Sequence, residues 1–223
     1  MKTILLVFGT RPEAIKMAPL ALSMKKSKLL DCKVCVTGQH QEMLEQVLDI
    51  FDLVPDYNLN IMEKNQDIFT ITEKILAGLK QLFRKDRPDL IIVHGDTAST
   101  LGASLAAYFS QIPVAHIEAG LRTGNIYSPW PEEGNRKLVG AVTQWHFAAT
   151  EDAKQNLLNE NVPTNNIFVT GNTVIDALLI ASKKIDAPII QNELREKFNF
   201  CLNKPYILVT AHRRENIGEG IKN

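Results

Sequence analysis

Short apolar runs rich in β-branched residues alternate with longer helical patterns along the chain, and this alternation constrains the fold more than any other feature. Runs such as 4–8 (ILLVF) and 90–93 (LIIV) are continuously apolar, as expected for parallel strands that are covered on both faces. Strands separated by helical patterns of about 10–15 residues indicate βαβ units. The sequence therefore predicts an α/β protein with a parallel sheet.

The predicted elements fill most of the 223 residues. At about 150 residues per domain, this length corresponds to roughly one and a half domains. The pattern changes after residue 170, so we predict a first domain over 1–172, followed over 173–223 by a connecting helix and the first elements of an incomplete second domain. Strands are predicted at 3–8, 33–37, 90–93, 114–118, 145–148, 167–169 and 206–210, and helices at 14–26, 41–51, 69–85, 98–109, 133–142, 152–160, 174–184 and 191–200.

Composition excludes several classes of protein. Lys plus Arg and Asp plus Glu both number 25, and this balance argues against a nucleic-acid-binding protein with a broad basic face. No apolar stretch approaches the ~20 residues that span a bilayer, and the N-terminal run is too short for a signal peptide. Cys32 and Cys35 lie in a predicted strand, where residues i and i+3 point to opposite faces. We therefore interpret them as reduced thiols of a cytoplasmic protein, without a metal or redox role.

Polar and ionisable residues follow the carboxyl ends of the predicted strands. Ligands of open parallel sheets bind at this edge, and a purely structural protein has no reason to collect Arg, Asp, Glu and His there. The segments are 9–13 (GTRPE), 38–40 (GQH), 94–97 (HGDT), 116–122 (HIEAGLR), 171–172 (GN) and 211–216 (AHRREN).

Two of these segments are candidate binding sites for an anion. The residues around Arg11 form either a simple turn before a helix or a phosphate site, because a helix N-terminus offers free N–H groups and a positive dipole end. Lys16 follows about one turn later. His212, with Arg213 and Arg214, forms either a surface patch or part of a site for an anionic ligand.

The acidic residues each allow two interpretations. Asp96 is a helix N-cap or a catalytic acid. Glu118 ends an apolar strand, where a functional or paired carboxylate is expected. Glu132 belongs to a predicted first helical turn, in which acids are common, and Arg136 is one turn further on and able to pair with such an acid.

The usual cofactor signatures are absent from the sequence. No G-x-G-x-x-G follows the first strand, and neither a G-x-x-x-x-G-K-[ST] nor a G-x-S-x-G motif occurs. No His/Cys group has zinc-site spacing. We therefore predict no NAD, no ATP and no metal.

Several longer motifs extend over the chain from end to end. They are 8–20 (FGTRPEAIKMAPL), 93–97 (VHGDT), 116–123 (HIEAGLRT), 127–133 (YSPWPEE) with Asn135 and Arg136, 170–177 (TGNTVIDA) and 209–216 (VTAHRREN). Together these motifs resemble the non-hydrolysing UDP-N-acetylglucosamine 2-epimerases. This resemblance implies a Rossmann-like doubly wound sheet in a GT-B-like two-domain architecture whose second domain is truncated here. It also implies a bacterial cytoplasmic enzyme that interconverts UDP-GlcNAc and UDP-ManNAc for surface polysaccharides.

The resemblance also implies roles for individual residues. UDP is eliminated to give a 2-acetamidoglucal and then adds back, which requires a base near C2 of the sugar and negative charge beside the anomeric centre; which carboxylate is the base stays open. A second UDP-GlcNAc is expected as an allosteric activator beside the substrate. The catalytic candidates are Asp96, Glu118, Glu132 and His212; the substrate-binding candidates are Arg11, Lys16, Arg136, Arg214 and Asn172; the allosteric candidates are Gln39, His40 and Glu42.

Three other functions remain open at this point: a hydrolysing 2-epimerase that releases ManNAc and UDP, a GT-B glycosyltransferase that needs an acceptor, and an inactive nucleotide-sugar-binding fragment. The resemblance implies a homodimer formed through helices of the first domain. Phe51, Phe69 and Phe83 fit such an interface or the core, and we predict the core for each.

Overall fold

The computed structural model describes residues 1–38, 41–63 and 66–202, together with Pro205, Ile207 and Val209. Its strands are β1 (Lys2–Phe8), β2 (Leu30–Val36), β3 (Tyr57–Asn58), β4 (Leu90–His94), β5 (Val114–Ala119), β6 (Trp145–Ala148) and β7 (Ile167–Val169). Its helices are α1 (Arg11–Lys25), α2 (Gln41–Ile50), α3 (Ile68–Lys85), α4 (Ala98–Phe109), α5 (Glu132–Val142), α6 (Glu151–Asn159), α7 (Val174–Ile185) and α8 (Pro188–Leu202).

All strand pairs in the described residues are parallel, and they form one sheet in the order β3-β2-β1-β4-β5-β6-β7. The chain starts in β1, winds outward to β3, and then returns to the other side of β1 with β4. The sheet order therefore reverses between β1 and β4, and ligands of doubly wound sheets bind at the carboxyl end of such a reversal.

Both faces of the sheet are buried, which explains the continuous apolar runs. In β1, Leu6 and Phe8 point into a core that α1 and α2 cover, whereas Leu5 and Val7 point into a second core covered by α3 and α4. All four side chains are buried. This two-faced burial makes the centre of the sheet a fixed platform for its carboxyl-end loops.

The predicted helices and strands agree with the observed ones within three residues at every end that the structure describes. The two-residue strand β3 was missed, because it is too short for any periodic pattern. The predicted strand 206–210 lies largely outside the described residues. The two cysteines of β2 are free and lie in the two opposite cores, as predicted.

The three phenylalanines have different outcomes. Phe51 and Phe83 are buried in the core, as predicted. Phe69 is 80% exposed, so its assignment to the core was wrong. It lies in the first turn of α3, on the side away from the buried stripe that contains Ile75 and Leu79.

The chain divides into two compact units, Met1–Ala181 and Ser182–Asn223. The first contains the whole sheet, and the second contains α8. The domain boundary at residue 172 remains a prediction. No helix in the described part of the chain is long and apolar enough to cross a membrane.

Candidate active site

The candidate residues lie on the loops that follow β1, β4 and β5, the three strands next to the reversal of the sheet order. Lys16 is on α1 just after β1, Asp96 follows β4, and Glu118 is at the end of β5. Parallel strands bring these positions to one edge of the sheet. They form two clusters of charged side chains, one around Glu118 and one around Asp96.

The first cluster is built around the Glu118 carboxylate. Its Oε2 atom accepts hydrogen bonds from Lys16 Nζ and from Asn172 Nδ2, both at 2.6 Å. Burial acts to raise the pKa of Glu118, but the charge that His94 carries in its protonated form, together with the Lys16 and Asn172 bonds, outweighs it, so the pKa lies below its ordinary value. Glu118 is therefore ionised at neutral pH and able to accept a proton.

The backbone of β5 is irregular at Glu118. Ile117 pairs with Phe147 and Ala119 with Ala148, so Glu118 is an extra residue in β5 opposite β6. Its φ of 63° lies in the left-handed region, which residues with a Cβ seldom adopt. Such bulges re-aim side chains near active sites, and strain of about 1–3 kcal/mol is often retained at such places for function.

The second cluster joins Asp96 to Arg136 of α5. Arg136 Nη2 lies 2.6 Å from Asp96 Oδ2. Burial raises the pKa of Asp96, the charges of Glu132 and Glu118 raise it further, and Arg136 only partly opposes them. Asp96 thus holds its proton to higher pH than an ordinary aspartate, in contrast to Glu118.

Asp96 is not the N-cap of α4. Thr97 occupies that position, and its Oγ1 accepts a hydrogen bond from the Thr100 backbone N–H at 3.1 Å. The capping interpretation of Asp96 was therefore wrong, and its carboxylate pairs with Arg136 instead. Its backbone carbonyl accepts a hydrogen bond from Asn135 Nδ2 at 2.7 Å, which ties the loop after β4 to α5.

Glu133 supports the second cluster as the first-turn acid that pairs with Arg136, although its burial against the preceding loop was not predicted. It is fully buried, and its Oε2 atom accepts a hydrogen bond from Arg136 Nη1 at 3.0 Å. Burial acts to raise the pKa of Glu133, but the backbone N–H groups of Thr123 and Gly124 together with Arg136 lower it overall. Glu132 is only partly buried and starts α5, so the two adjacent acids differ in surroundings.

Glu13 was also missed. Its buried carboxylate accepts hydrogen bonds from Gly9 N at 2.9 Å and from Thr10 N at 2.7 Å. Two of the N–H groups at the start of α1, those of Gly9 and Thr10, are thus already occupied by a carboxylate of the protein and not free for a phosphate. Arg11 is exposed at the first position of α1 and remains a candidate through its side chain.

Three histidines are buried at this end of the sheet. Burial lowers the pKa of His94 to about 4, of His116 to about 3 and of His146 to about 4. All are therefore neutral at physiological pH. His116 and His146 are paired across β5 and β6, and His116 Nε2 donates a hydrogen bond to the Gly95 carbonyl at 2.7 Å. His94 lies near Glu118, with 3.8 Å between Nε2 and Oε2.

Arg122 anchors the long loop between β5 and α5. Its guanidinium makes two hydrogen bonds to the Glu160 carboxylate, at 2.9 and 2.7 Å. Because α6 ends next to Glu160, the pair fixes the loop to that helix. Position 122 lies in one of the long sequence motifs, but nothing in the sequence pointed to Glu160.

Several predicted residues cannot be placed. Gln39, His40, His212 and Arg214 lie outside the described residues. Glu42 is on α2, and its side chain is likewise outside the description. Their roles stay predictions. Within 1–38, 41–63 and 66–202, no group of three His, Cys, Asp or Glu side chains is arranged to hold a metal ion.

Comparison with known proteins agrees with this geometry. The sequence profile described as UDP-N-acetylglucosamine 2-epimerase matches residues 22–223. A UDP-N-acetylglucosamine 2-epimerase of Neisseria meningitidis is 54% identical over 99% of this chain, and one of Salmonella typhimurium is 55% identical over 98%. The chain spans 59% of the length of each of these relatives.

Solved structures give the same result. The crystal structure of the Neisseria meningitidis UDP-GlcNAc 2-epimerase bound to UDP-GlcNAc superposes with a TM-score of 0.94, at 54% identity, over 99% of this chain and 60% of that one. The Methanocaldococcus jannaschii enzyme in complex with UDP-GlcNAc and UDP gives 0.81 at 36% identity, over 90% of this chain and 54% of that one. The predicted Rossmann-like fold in a GT-B-like architecture is confirmed, and the chain belongs to the UDP-N-acetylglucosamine 2-epimerase family.

Proposed function

We propose that this chain carries the carboxylates that interconvert UDP-GlcNAc and UDP-ManNAc by eliminating UDP to a 2-acetamidoglucal and adding it back. The observation that carries the proposal is the pair of acids at one sheet edge with opposite pKa shifts. Glu118 is held ionised beside Lys16, whereas Asp96 holds its proton more tightly despite Arg136. Acids whose environments separate their pKa values suit the base and acid roles of one reaction.

The chemistry demands such a pair. The proton on C2 of the sugar has no neighbouring carbonyl and is not acidic by itself. Its removal becomes feasible as UDP leaves the anomeric carbon, because the developing positive charge makes that proton more acidic. Inversion then requires that a proton be returned to the opposite face of C2, so two positioned groups are needed.

The residues fit these steps as follows. Glu118, ionised and held in a bulged strand, is suited to take the C2 proton on one face. Asp96 is suited to exchange a proton on the other face, and Glu132 adds negative charge beside the oxocarbenium-like centre. We assign diphosphate binding to Arg11, Lys16 and His212, with Arg136 close to the acids. Arg214 and Asn172 are the remaining proposed substrate contacts.

Substitution of the acids tests the proposal. Asp96→Asn, Glu118→Gln and Glu132→Gln are each expected to reduce turnover by at least ~10²-fold. Glu151→Gln is the matched control for Glu132→Gln, because Glu151 also opens a helix but has a 75% exposed side chain at the start of α6. Near-normal turnover in any of the three variants removes that residue from the mechanism.

The assay follows UDP-GlcNAc in D₂O by NMR. Epimerisation by proton removal predicts that deuterium enters C2 as UDP-ManNAc forms. Deuterium incorporation and UDP-ManNAc formation should both be lost in the acid variants. The assay is run on the 223-residue chain and on a chimera in which the remaining part of the Neisseria meningitidis relative follows it. Turnover by the chimera alone would show that the second part is required.

The other functions give different products in the same assay. Free ManNAc with UDP as the main product indicates a hydrolysing 2-epimerase. A product that forms only when a sugar acceptor is added indicates a glycosyltransferase. Calorimetric binding of UDP without turnover in either chain indicates a nucleotide-sugar-binding protein.

We further propose a cytoplasmic homodimer that supplies UDP-ManNAc for surface polysaccharides and takes a second UDP-GlcNAc as activator. The family membership supports these points. Sedimentation tests the dimer. A hyperbolic rate curve, with no UDP-GlcNAc requirement in the reverse direction, argues against the activator site at Gln39, His40 and Glu42.

A further inference from the structure

His94 is a buried polar side chain for which the proposed mechanism has no use. Only 3% of it is exposed, and both ring nitrogens are buried without a hydrogen-bond partner in the described structure. Buried polar side-chain atoms nearly always have a partner, so each exception requires an explanation. The residue ends β4, directly before Gly95 and Asp96, and therefore lies in the wall of the candidate active site.

The polar group that His94 faces is the Glu118 carboxylate. His94 Nε2 lies 3.8 Å from Glu118 Oε2, beyond hydrogen-bond length, and a displacement of about 0.8 Å would close the gap. The same oxygen currently accepts from Lys16 and Asn172 at 2.6 Å. The Glu118 carboxylate thus has two hydrogen-bond donors in contact, and the His94 ring lies nearby as a third possible donor.

We propose that His94 is a positioning residue for Glu118, donating a hydrogen bond from its Nε2–H to the carboxylate when Lys16 turns toward the substrate diphosphate. The part played by Lys16 rests on the proposed function. Without His94, the departure of Lys16 would leave the partly buried carboxylate with only the Asn172 amide. With it, Glu118 stays ionised and oriented at the moment when it must accept a proton.

The surroundings of His94 keep it a neutral donor. The charged and titratable groups close to it are Lys16 of α1, Glu118 of β5 and, on the adjacent strand, neutral His116. Burial and the charge of Lys16 lower the pKa of His94 while Glu118 raises it, and the net result is a pKa of about 4. A neutral imidazole carries one N–H, which fits a role in which it donates a hydrogen bond without transferring a proton.

The first test uses the unsubstituted chain. Histidine ¹⁵N NMR between pH 5 and 8 should show His94 neutral, with its proton on Nε2. A proton on Nδ1, or a cationic His94 at pH 6, would overturn the proposal. This measurement needs no variant and no enzymatic activity.

The second test measures the Glu118 pKa by carboxyl ¹³C NMR, with the resonance assigned by its loss in Glu118→Gln. In a Lys16→Met background, which reproduces the departure of Lys16, His94→Phe should raise the Glu118 midpoint by about half a unit or more, whereas His94→Gln, which keeps a neutral donor, should restore at least half of that shift. His146→Phe in the same background is the matched control, because His146 is equally buried but lies on β6, and it should leave the midpoint unchanged. An unchanged midpoint in a folded Lys16→Met/His94→Phe variant would refute the proposal.

A third comparison isolates the role of Lys16. In a Lys16→Met background, His94→Phe should shift the Glu118 midpoint more than it does when Lys16 is present, and an equal or smaller shift would contradict the proposal. If these shifts occur but the chimera does not turn over UDP-GlcNAc, His94 is established as a positioning residue and the proposed function fails. If turnover occurs without the shifts, only the His94 proposal fails.

Discussion

Replacing Glu13 by Gln tests whether a buried carboxylate holds two active-site loops together. Its Oε2 accepts from the Gly9 and Thr10 backbone N–H groups, and its Oε1 accepts from the hydroxyls of Thr97 and Thr100 at 2.7 and 2.9 Å. The carboxylate therefore connects the loop after β1 with the loop after β4. Gln keeps the shape but removes the charge and one acceptor.

The expected cost follows from these contacts. A hydrogen bond to a charged group contributes about 1.5–3 kcal/mol and a neutral one about 0.5–1.5, so the two N–H bonds lose about 1 kcal/mol each. The two hydroxyls must also reorient around an amide, and the charge at the helix N-terminus is lost, which together cost about 1 kcal/mol more. At about 2–4 °C per kcal/mol, a total of about 3 kcal/mol lowers Tm by about 6–12 °C.

Thermal unfolding followed by circular dichroism measures this loss, and urea unfolding gives the free energy independently. Glu151→Gln serves as the control, because its side chain is 75% exposed and its removal should change stability by less than about 0.5 kcal/mol. A loss below about 1 kcal/mol for Glu13→Gln would show that the carboxylate does not hold the loops as described.

Four further predictions concern stability. The pKa of Asp96 is raised above its ordinary 3.8, so its ionised form destabilises the fold at neutral pH. Asp96→Asn should therefore melt at the same or a higher temperature than the unsubstituted chain at pH 7. This difference in melting temperature should disappear at pH values below 3.8. Glu118 has a lowered pKa and stabilises the fold above 4.5, so Glu118→Gln should melt lower at pH 7 and lose that difference as the pH falls through the depressed pKa; identical pH dependence in the two variants would contradict the assignments. Gly9→Ala should lower the free energy of unfolding by about 2 kcal/mol or more, since a Cβ there would lie 2.0 Å from a threonine hydroxyl oxygen. Gly134→Ala is the control: its nearest contact would be at 3.8 Å, so it should be neutral or stabilising in the same urea titration. Arg122→Lys should cost about 1 kcal/mol because only the fork of Arg bonds both carboxylate oxygens, and equal melting temperatures would refute that role.

The sequence was sufficient to predict the helices and strands with strong hydrophobic periodicity and the edge of the sheet at which the candidate site lies. Apolar runs such as Leu90–His94 predict buried parallel strands, and parallel strands place their following loops together. Asp96 and Glu118 were selected on this ground, and Lys16 and Arg136 by their helical spacing and the family resemblance. The structure places all four in two clusters at that edge.

Pairings between distant segments could not be predicted in the same way. Glu13 and Glu133 look like ordinary acids in first helical turns, and only the fold shows that both are buried against loop N–H groups. Asp96 was considered as the N-cap of α4 because Asp is a good N-cap residue, but Thr is one as well. The local backbone at Thr97, which the sequence does not show, decides between the two residues. The bulge at Glu118 has no compositional signature, since the residue usually found in such a conformation is glycine.

That bulge sets the geometry of the sheet against the proposed catalytic role of Glu118 at a single position. Glycine at residue 118 would relieve the left-handed backbone, and deletion of one residue between Ile117 and Ala119 would restore a regular pairing with β6. Either change also removes the carboxylate that pairs with Lys16 and Asn172. Because Glu118→Gln keeps the left-handed backbone without the charge, Glu118→Gly should melt higher than Glu118→Gln, whereas selection for the proposed activity should retain the acid despite the strain.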